Sequence, residues 1–97
     1  MRKLLTVITE TALEHILIDE IEALGAKGYT ITDARGKGSR GTRNAGWETN
    51  GNIRLEIVCD DEVANAITTF LQEKYYDNYA MIIFTSDVTV LRQDKFI

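Results

Sequence analysis

The sequence predicts a small α+β domain whose elements run strand, helix, strand, strand, helix, strand. Three observations predict it. Apolar residues recur at helical spacing in two separate stretches, one after Thr11 and one after Asp61. Short β-branched runs flank both stretches. Asn52 to Cys59 alternates apolar and polar with period two, the signature of a strand with one face in the core. The 97 residues suit a single domain over 1–97.

Taken in order, Leu4 to Thr9 is apolar on both faces and reads as a central, buried strand. Thr11 offers an N-cap, with Glu14 three residues on to complete a capping box. Leu13, Ile16, Leu17, Ile21 and Leu24 then form the buried stripe of a helix, which ends at Gly25 in a left-handed conformation. Tyr29 to Arg35 is the second strand. A loop follows from Gly36 to about Gly51, with five glycines and no proline. In the third strand Ile53, Leu55, Ile57 and Cys59 face one way, and Asn52, Arg54, Glu56 and Val58 face the other. Asp60 or Asp61 caps the second helix, whose stripe is Val63, Ile67, Phe70, Leu71 and Tyr75. Tyr79 to Thr85 is a fourth strand, and Val88 to Leu91 a short fifth.

This order is the ferredoxin-like one, an antiparallel sheet with two helices on one face. Helices can cover only that face. The other carries Val58 and, depending on register, Thr6, Ile8, Met81 or Ile83. An apolar uncovered face is normally buried against another subunit, so a homo-oligomer is expected.

Composition narrows the function. The net charge of −4 argues against general nucleic-acid binding, and the third strand lacks the aromatic pair of an RNA-recognition strand. Charge is nevertheless uneven. Arg35 to Arg43 holds four bases and no acid, leaving 7 of the 11 bases against all 15 acids elsewhere. One Cys and one His build no zinc site and no disulfide framework, so no metal is expected. His15 stands alone, and Cys59 reads as a small core residue. No Ser-His-Asp set is present, and the chain reads as a binding protein rather than an enzyme. The N-terminal apolar run is too short for a signal peptide, and no segment approaches 18 apolar residues, so neither export nor membrane insertion is expected and the location is cytoplasmic.

The candidate binding segment is Gly36-Lys37-Gly38-Ser39-Arg40-Gly41-Thr42-Arg43. Glycines let backbone N–H groups approach an anion, Ser39 and Thr42 add hydroxyl donors, and Arg40 and Arg43 can grip phosphate oxygens with forked bonds. Lys37 adds a point charge. The spacing is not that of a Walker A loop. Trp47 lies further along, either folded back as an anchor or offered to a partner protein.

Together with Gly25-Ala26-Lys27-Gly28-Tyr29-Thr30-Ile31, Leu55-Glu56-Ile57-Val58 and Lys74-Tyr75-Tyr76-Asp77-Asn78-Tyr79-Ala80, the Gly-Lys-Gly-Ser-Arg element resembles the PII signalling superfamily over nearly the whole chain. It is most similar to the PII-like SbtB proteins associated with bicarbonate uptake. The resemblance implies a trimer, a T-loop at about 36–51 and an adenine nucleotide (AMP, cyclic AMP, ADP or ATP) held in clefts between subunits. Lys37, Gly38, Ser39, Arg40 and Arg43 would hold phosphate, Val58 would line the nucleoside pocket, and Gly28, Tyr29 and Thr30 would approach the base from the neighbouring subunit. The loop would engage a membrane transporter. PII proteins grip polyphosphate with a glycine-rich, lysine-containing B-loop after the second helix. Here Tyr76-Asp77-Asn78-Tyr79 stands in that place, which favours a monophosphate-sized ligand. Competing readings are a bicarbonate- and ADP-sensing regulator of carbon metabolism, a metal-assisted nucleotide hydrolase, and a nucleotide-independent protein-interaction module.

Overall fold

The computed structural model describes residues 2–38, 41–43 and 51–92. Strand β1 (Arg2–Glu10) leads through a single 3-10 turn (Thr11–Leu13) into helix α1 (Glu14–Ala23). Strand β2 (Thr30–Ala34) follows, then two three-residue strands, β3 (Gly36–Gly38) and β4 (Gly41–Arg43), which pair as a hairpin. Strand β5 (Asn52–Cys59), helix α2 (Asp61–Tyr75) and strand β6 (Ile82–Val88) complete the described chain. The main sheet runs β2-β5-β1-β6, all antiparallel, so β1 and β5 are central. This is the expected βαββαβ plan.

The core lies between this sheet and the two helices. Leu5 and Val7 of β1 and Leu55, Ile57 and Cys59 of β5 meet Leu17 and Ile21 of α1 and Ala64, Ile67, Leu71 and Tyr75 of α2 in one buried cluster. A second tie joins the helices. The Tyr75 hydroxyl donates to Glu20 Oε1 at 2.6 Å, and Lys74 pairs with the other oxygen of the same carboxylate. At the opposite end, Lys3 Nζ donates to Asp87 Oδ1 at 2.5 Å and stands 3.7 Å from Asp61, clipping β1 to β6 and to the start of α2.

Local signals fare unevenly. Asp60 caps α2 as expected, its Oδ1 accepting the Val63 N–H at 2.9 Å. The Thr11 capping box does not form. Thr11 instead sits in the 3-10 turn, and its N–H donates to the Gly51 carbonyl at 2.8 Å, prolonging the β1–β5 ladder by one bond. Gly25 ends α1 at φ +112°, and a Schellman pair closes the helix: Gly25 N–H donates to Glu22 and Ala26 N–H to Ile21. Ile16 lies outside the buried stripe and is exposed. The last strand starts three residues later than expected and absorbs Val88, and no fifth strand of the main sheet follows among the described residues. Part of the 36–51 loop is strand, because Gly36–Gly38 folds back on Gly41–Arg43.

The register settles which residues lie on the uncovered face. Thr6 stands opposite Glu56 and Phe84, Ile8 opposite Arg54 and Ile82, and Leu4 opposite Val58 and Ser86. Thr6, Ile8 and Val58 are therefore on the open face as expected. Met81 and Ile83 are not: Met81 is buried in the core and Ile83 packs against it. Ile82 and Phe84 take their place and remain 42% and 45% exposed.

Gly25→Ala should lower stability by about 1–3 kcal/mol, since a Cβ would meet Val63 Cγ2 at 3.1 Å in a conformation that L residues avoid. Gly28→Ala meets nothing within 4 Å and should cost nothing measurable. Urea unfolding of both variants at one protein concentration checks the contrast.

Candidate functional site

The main sheet ends at Ala34 and Asn52, which pair across β2 and β5. Just beyond, Arg35 and the β3–β4 hairpin begin. Where this loop root meets the open face, a groove of about 250 Å³ is lined by Ile8, Ala34, Arg35, Gly36, Lys37, Arg54 and Ile82. Its composition is divided. Ile8, Ala34 and Ile82 contribute apolar lining, and Arg35, Lys37 and Arg54 contribute three cations. Glu56 Oε2 lies 3.4 Å from the Arg54 guanidinium. Such a surface suits a ligand with one flat apolar part and one anionic part.

The expected site residues fall into two groups at opposite ends of β2. Lys37 lines the groove, and Gly38 and Arg43 lie in the adjoining hairpin, where Arg43 pairs with Gly36. Gly28, Tyr29 and Thr30 lie at the other end, all three exposed. Val58 belongs with this second group: Thr30 pairs with Glu56, and Val58 lies two residues further along β5, half-buried opposite Leu4. Lys37 is seven positions on from Thr30, about 23 Å of extended chain. One protomer therefore does not bring both groups to one small ligand. Ser39, Arg40 and Trp47 lie outside the described residues.

Sequence reasoning did not place four of the lining residues, Ile8, Ala34, Arg54 and Ile82, at the site. Arg54 was legible as the wet face of an alternating strand, but nothing local tied it to the loop. Ile8 and Ile82 join the groove only because β1 lies between β5 and β6, which is a matter of sheet order.

Other groups have structural roles. Tyr76 to Tyr79 forms a tight turn without glycine, in which the N–H groups of Asn78 and Tyr79 both donate to the Tyr75 carbonyl. The Tyr79 ring packs edge-on to Tyr75 with centroids 5.4 Å apart. His15 is exposed on α1. Among the described residues no three His, Cys, Asp or Glu side chains converge as a metal site, and no helix is long and apolar enough to cross a membrane. Cys59 is buried, and burial, reinforced by Asp60 and Asp61, pushes its thiol up to about 11.

Comparison with known proteins fits this geometry. Residues 2–95 match the family described as nitrogen regulatory protein P-II. A PII-like signalling protein of Thermus thermophilus is 49% identical and superimposes with a TM-score of 0.84, the match covering 99% of this chain and 95% of that one. CPII of Thiomonas intermedia, solved bound to ADP and bicarbonate, is 27% identical with a TM-score of 0.89 over 99% of this chain and 94% of its own. GlnK of B. subtilis in complex with ATP, at 18% identity and a TM-score of 0.67 over 91% of this chain and 83% of that one, shares the fold.

The Cys59 thiol should resist iodoacetamide at pH 8 in the folded protein and react readily in denaturant, as mass spectrometry can read. Because its folded pKa lies above the ordinary value of 9.0, the unfolded chain releases this proton first as pH rises, so this group lowers stability between about pH 9 and 11 and leaves it flat below.

Proposed function

The chain belongs to the nitrogen regulatory protein P-II family, and from that premise we propose that it is a non-catalytic sensor that binds an adenine nucleotide between protomers of a homotrimer. The observation that carries this reading is the split of the site. The cationic groove at the loop root and the Gly28–Thr30 group with Val58 lie at opposite ends of one strand. A second protomer can bring its own Gly28, Tyr29, Thr30 and Val58 to the first protomer's groove. Lys37 and Arg35 then meet phosphate, and Gly38, Ser39, Arg40 and Arg43, which follow Lys37 in sequence, are proposed to join them, while the base lies against apolar surface.

The open face of the sheet supports the assembly. Leu4, Ile8, Val58, Ile82 and Phe84 lie side by side there with no helix over them. Ile82 and Phe84 are nearly half exposed in one protomer. Burying a large apolar side chain contributes about 1.5–3 kcal/mol, so covering this row in three protomers is a substantial driving force.

A nucleotide at the loop root is placed to set the conformation of the 36–51 T-loop. The loop, with Trp47, would engage or release a partner, which we assign to the class of membrane transporters, from the cytoplasmic side. The absence of a glycine-rich loop at Tyr76–Tyr79 favours a monophosphate-sized ligand over one gripped through a polyphosphate. A second reading, joint sensing of bicarbonate and ADP, is favoured by CPII, which was solved with both.

Lys37→Ala should weaken AMP by roughly 1.5–3 kcal/mol, the scale of a hydrogen bond to a charged group, and leave adenosine nearly unchanged. Titration calorimetry checks this, and equal loss for both ligands contradicts the assigned role. Phe84→Asp should convert the trimer to monomer in sedimentation experiments, since it sets a charge on the covered face.

A further inference from the structure

Arg54 extends from β5 onto the open face and lines the groove together with Arg35 and Lys37. Its Nη2 lies 3.4 Å from Glu56 Oε2, and both side chains stay partly exposed, at 42% and 31%. The two residues are two apart on one strand and so share a face. Glu56 has another neighbour on that face. Thr6 of β1 stands directly opposite it, fully buried, and its Oγ1 has no hydrogen-bond partner. A buried hydroxyl without a partner is costly, and directly opposed residues in antiparallel strands bring their Cβ atoms within about 4.5–5.5 Å. Glu56 thus stands between a cation it holds loosely and a hydroxyl that lacks an acceptor.

We infer that Arg54 is the sheet-side anion contact of the groove and that Glu56 is its internal competitor, which turns to the Thr6 hydroxyl when an anion takes Arg54. The inference rests on the reading of this groove as the phosphate site and adds to it a ligand residue and a selection rule. A partly exposed ion pair at this separation is worth at most about 1 kcal/mol, whereas a short charge-assisted bond to phosphate is worth about 1.5–3. A phosphate oxygen therefore wins Arg54 from Glu56, and the Thr6 O–H donates to the carboxylate left behind. An uncharged nucleoside has nothing with which to draw Arg54 away. Selection for a charged ligand follows, and the exchange alters a contact between β1 and β5 on the face assigned to the trimer interface.

Calorimetry on the assembled full chain, with AMP and adenosine as the two probes, tests this on wild type, Arg54→Gln and Glu56→Gln. The ratio of AMP to adenosine affinity should fall about tenfold or more in Arg54→Gln, and it should rise in Glu56→Gln because the competitor has lost its charge. Sedimentation shows whether each variant keeps its assembly, and either variant alone decides the sign. A wild-type protein that binds AMP while neither ratio moves overturns the role of Arg54 and leaves the nucleotide reading standing. Two ratios falling together mark a merely structural pair and overturn the competition. A wild type that binds no AMP at all overturns the nucleotide reading, and this inference with it.

Discussion

A sheet has two faces, and two helices can cover one of them. Most of the described structure follows from how this chain handles that limit. Strand β1 is apolar on both sides: Leu5 and Val7 enter the helix-covered core, while Leu4 and Ile8 point the other way with Thr6 between them. A strand at the edge of a sheet could not carry such a sequence. At the centre it commits the molecule to a second apolar surface, continued by Val58 of β5 and by Ile82 and Phe84 of β6. The assembly proposed for that surface and the ligand site proposed at its margin are thus aspects of one constraint. The groove exists because the open face runs up to the root of the basic loop.

Electrostatics divides the molecule in a complementary way. Four bases and no acid lie within 35–43, on a chain that is acidic elsewhere. Several of the acids serve local ends: Asp60 caps α2, Glu20 of α1 receives the Tyr75 hydroxyl and Lys74, and Asp87 of β6 and Asp61 of α2 hold Lys3. The groove is therefore a locally positive patch on a negative body. Such an arrangement raises the local concentration of small anions while it disfavours extended polyanions such as nucleic acid.

Much of this architecture could be read from residue order, because the period-two and period-3.6 patterns are strong here. The span Asn52–Cys59 and its core face follow from alternation alone, and the Gly25 stop and a cap at Asp60 or Asp61 follow from short-range chemistry, with the structure choosing Asp60. What was not legible depends on partners distant in sequence. Thr11 has the composition of a capping residue, but its N–H is claimed by Gly51, forty residues away. In the last strand Ile82, Ile83 and Phe84 form a continuous apolar run, so alternation cannot say which of them faces the helices. Pairing with β1 decides it. The basic loop pointed to an expected anion site, but Arg54 and Ile8 reach the groove at its root through sheet order, and the separation of Val58 from Lys37 becomes visible only once the register is known. The family resemblance supplied the notion of a shared cleft, and the register supplies a physical reason for one.

A crystal structure of the full chain grown with AMP tests most directly whether a ligand is shared between protomers. Electron density should place the phosphate beside Lys37 and Arg35 of one protomer and the base near Thr30 and Val58 of its neighbour, with the Ile82 and Phe84 face closed against other copies. AMP held wholly within one protomer, or seated away from the loop root, contradicts it.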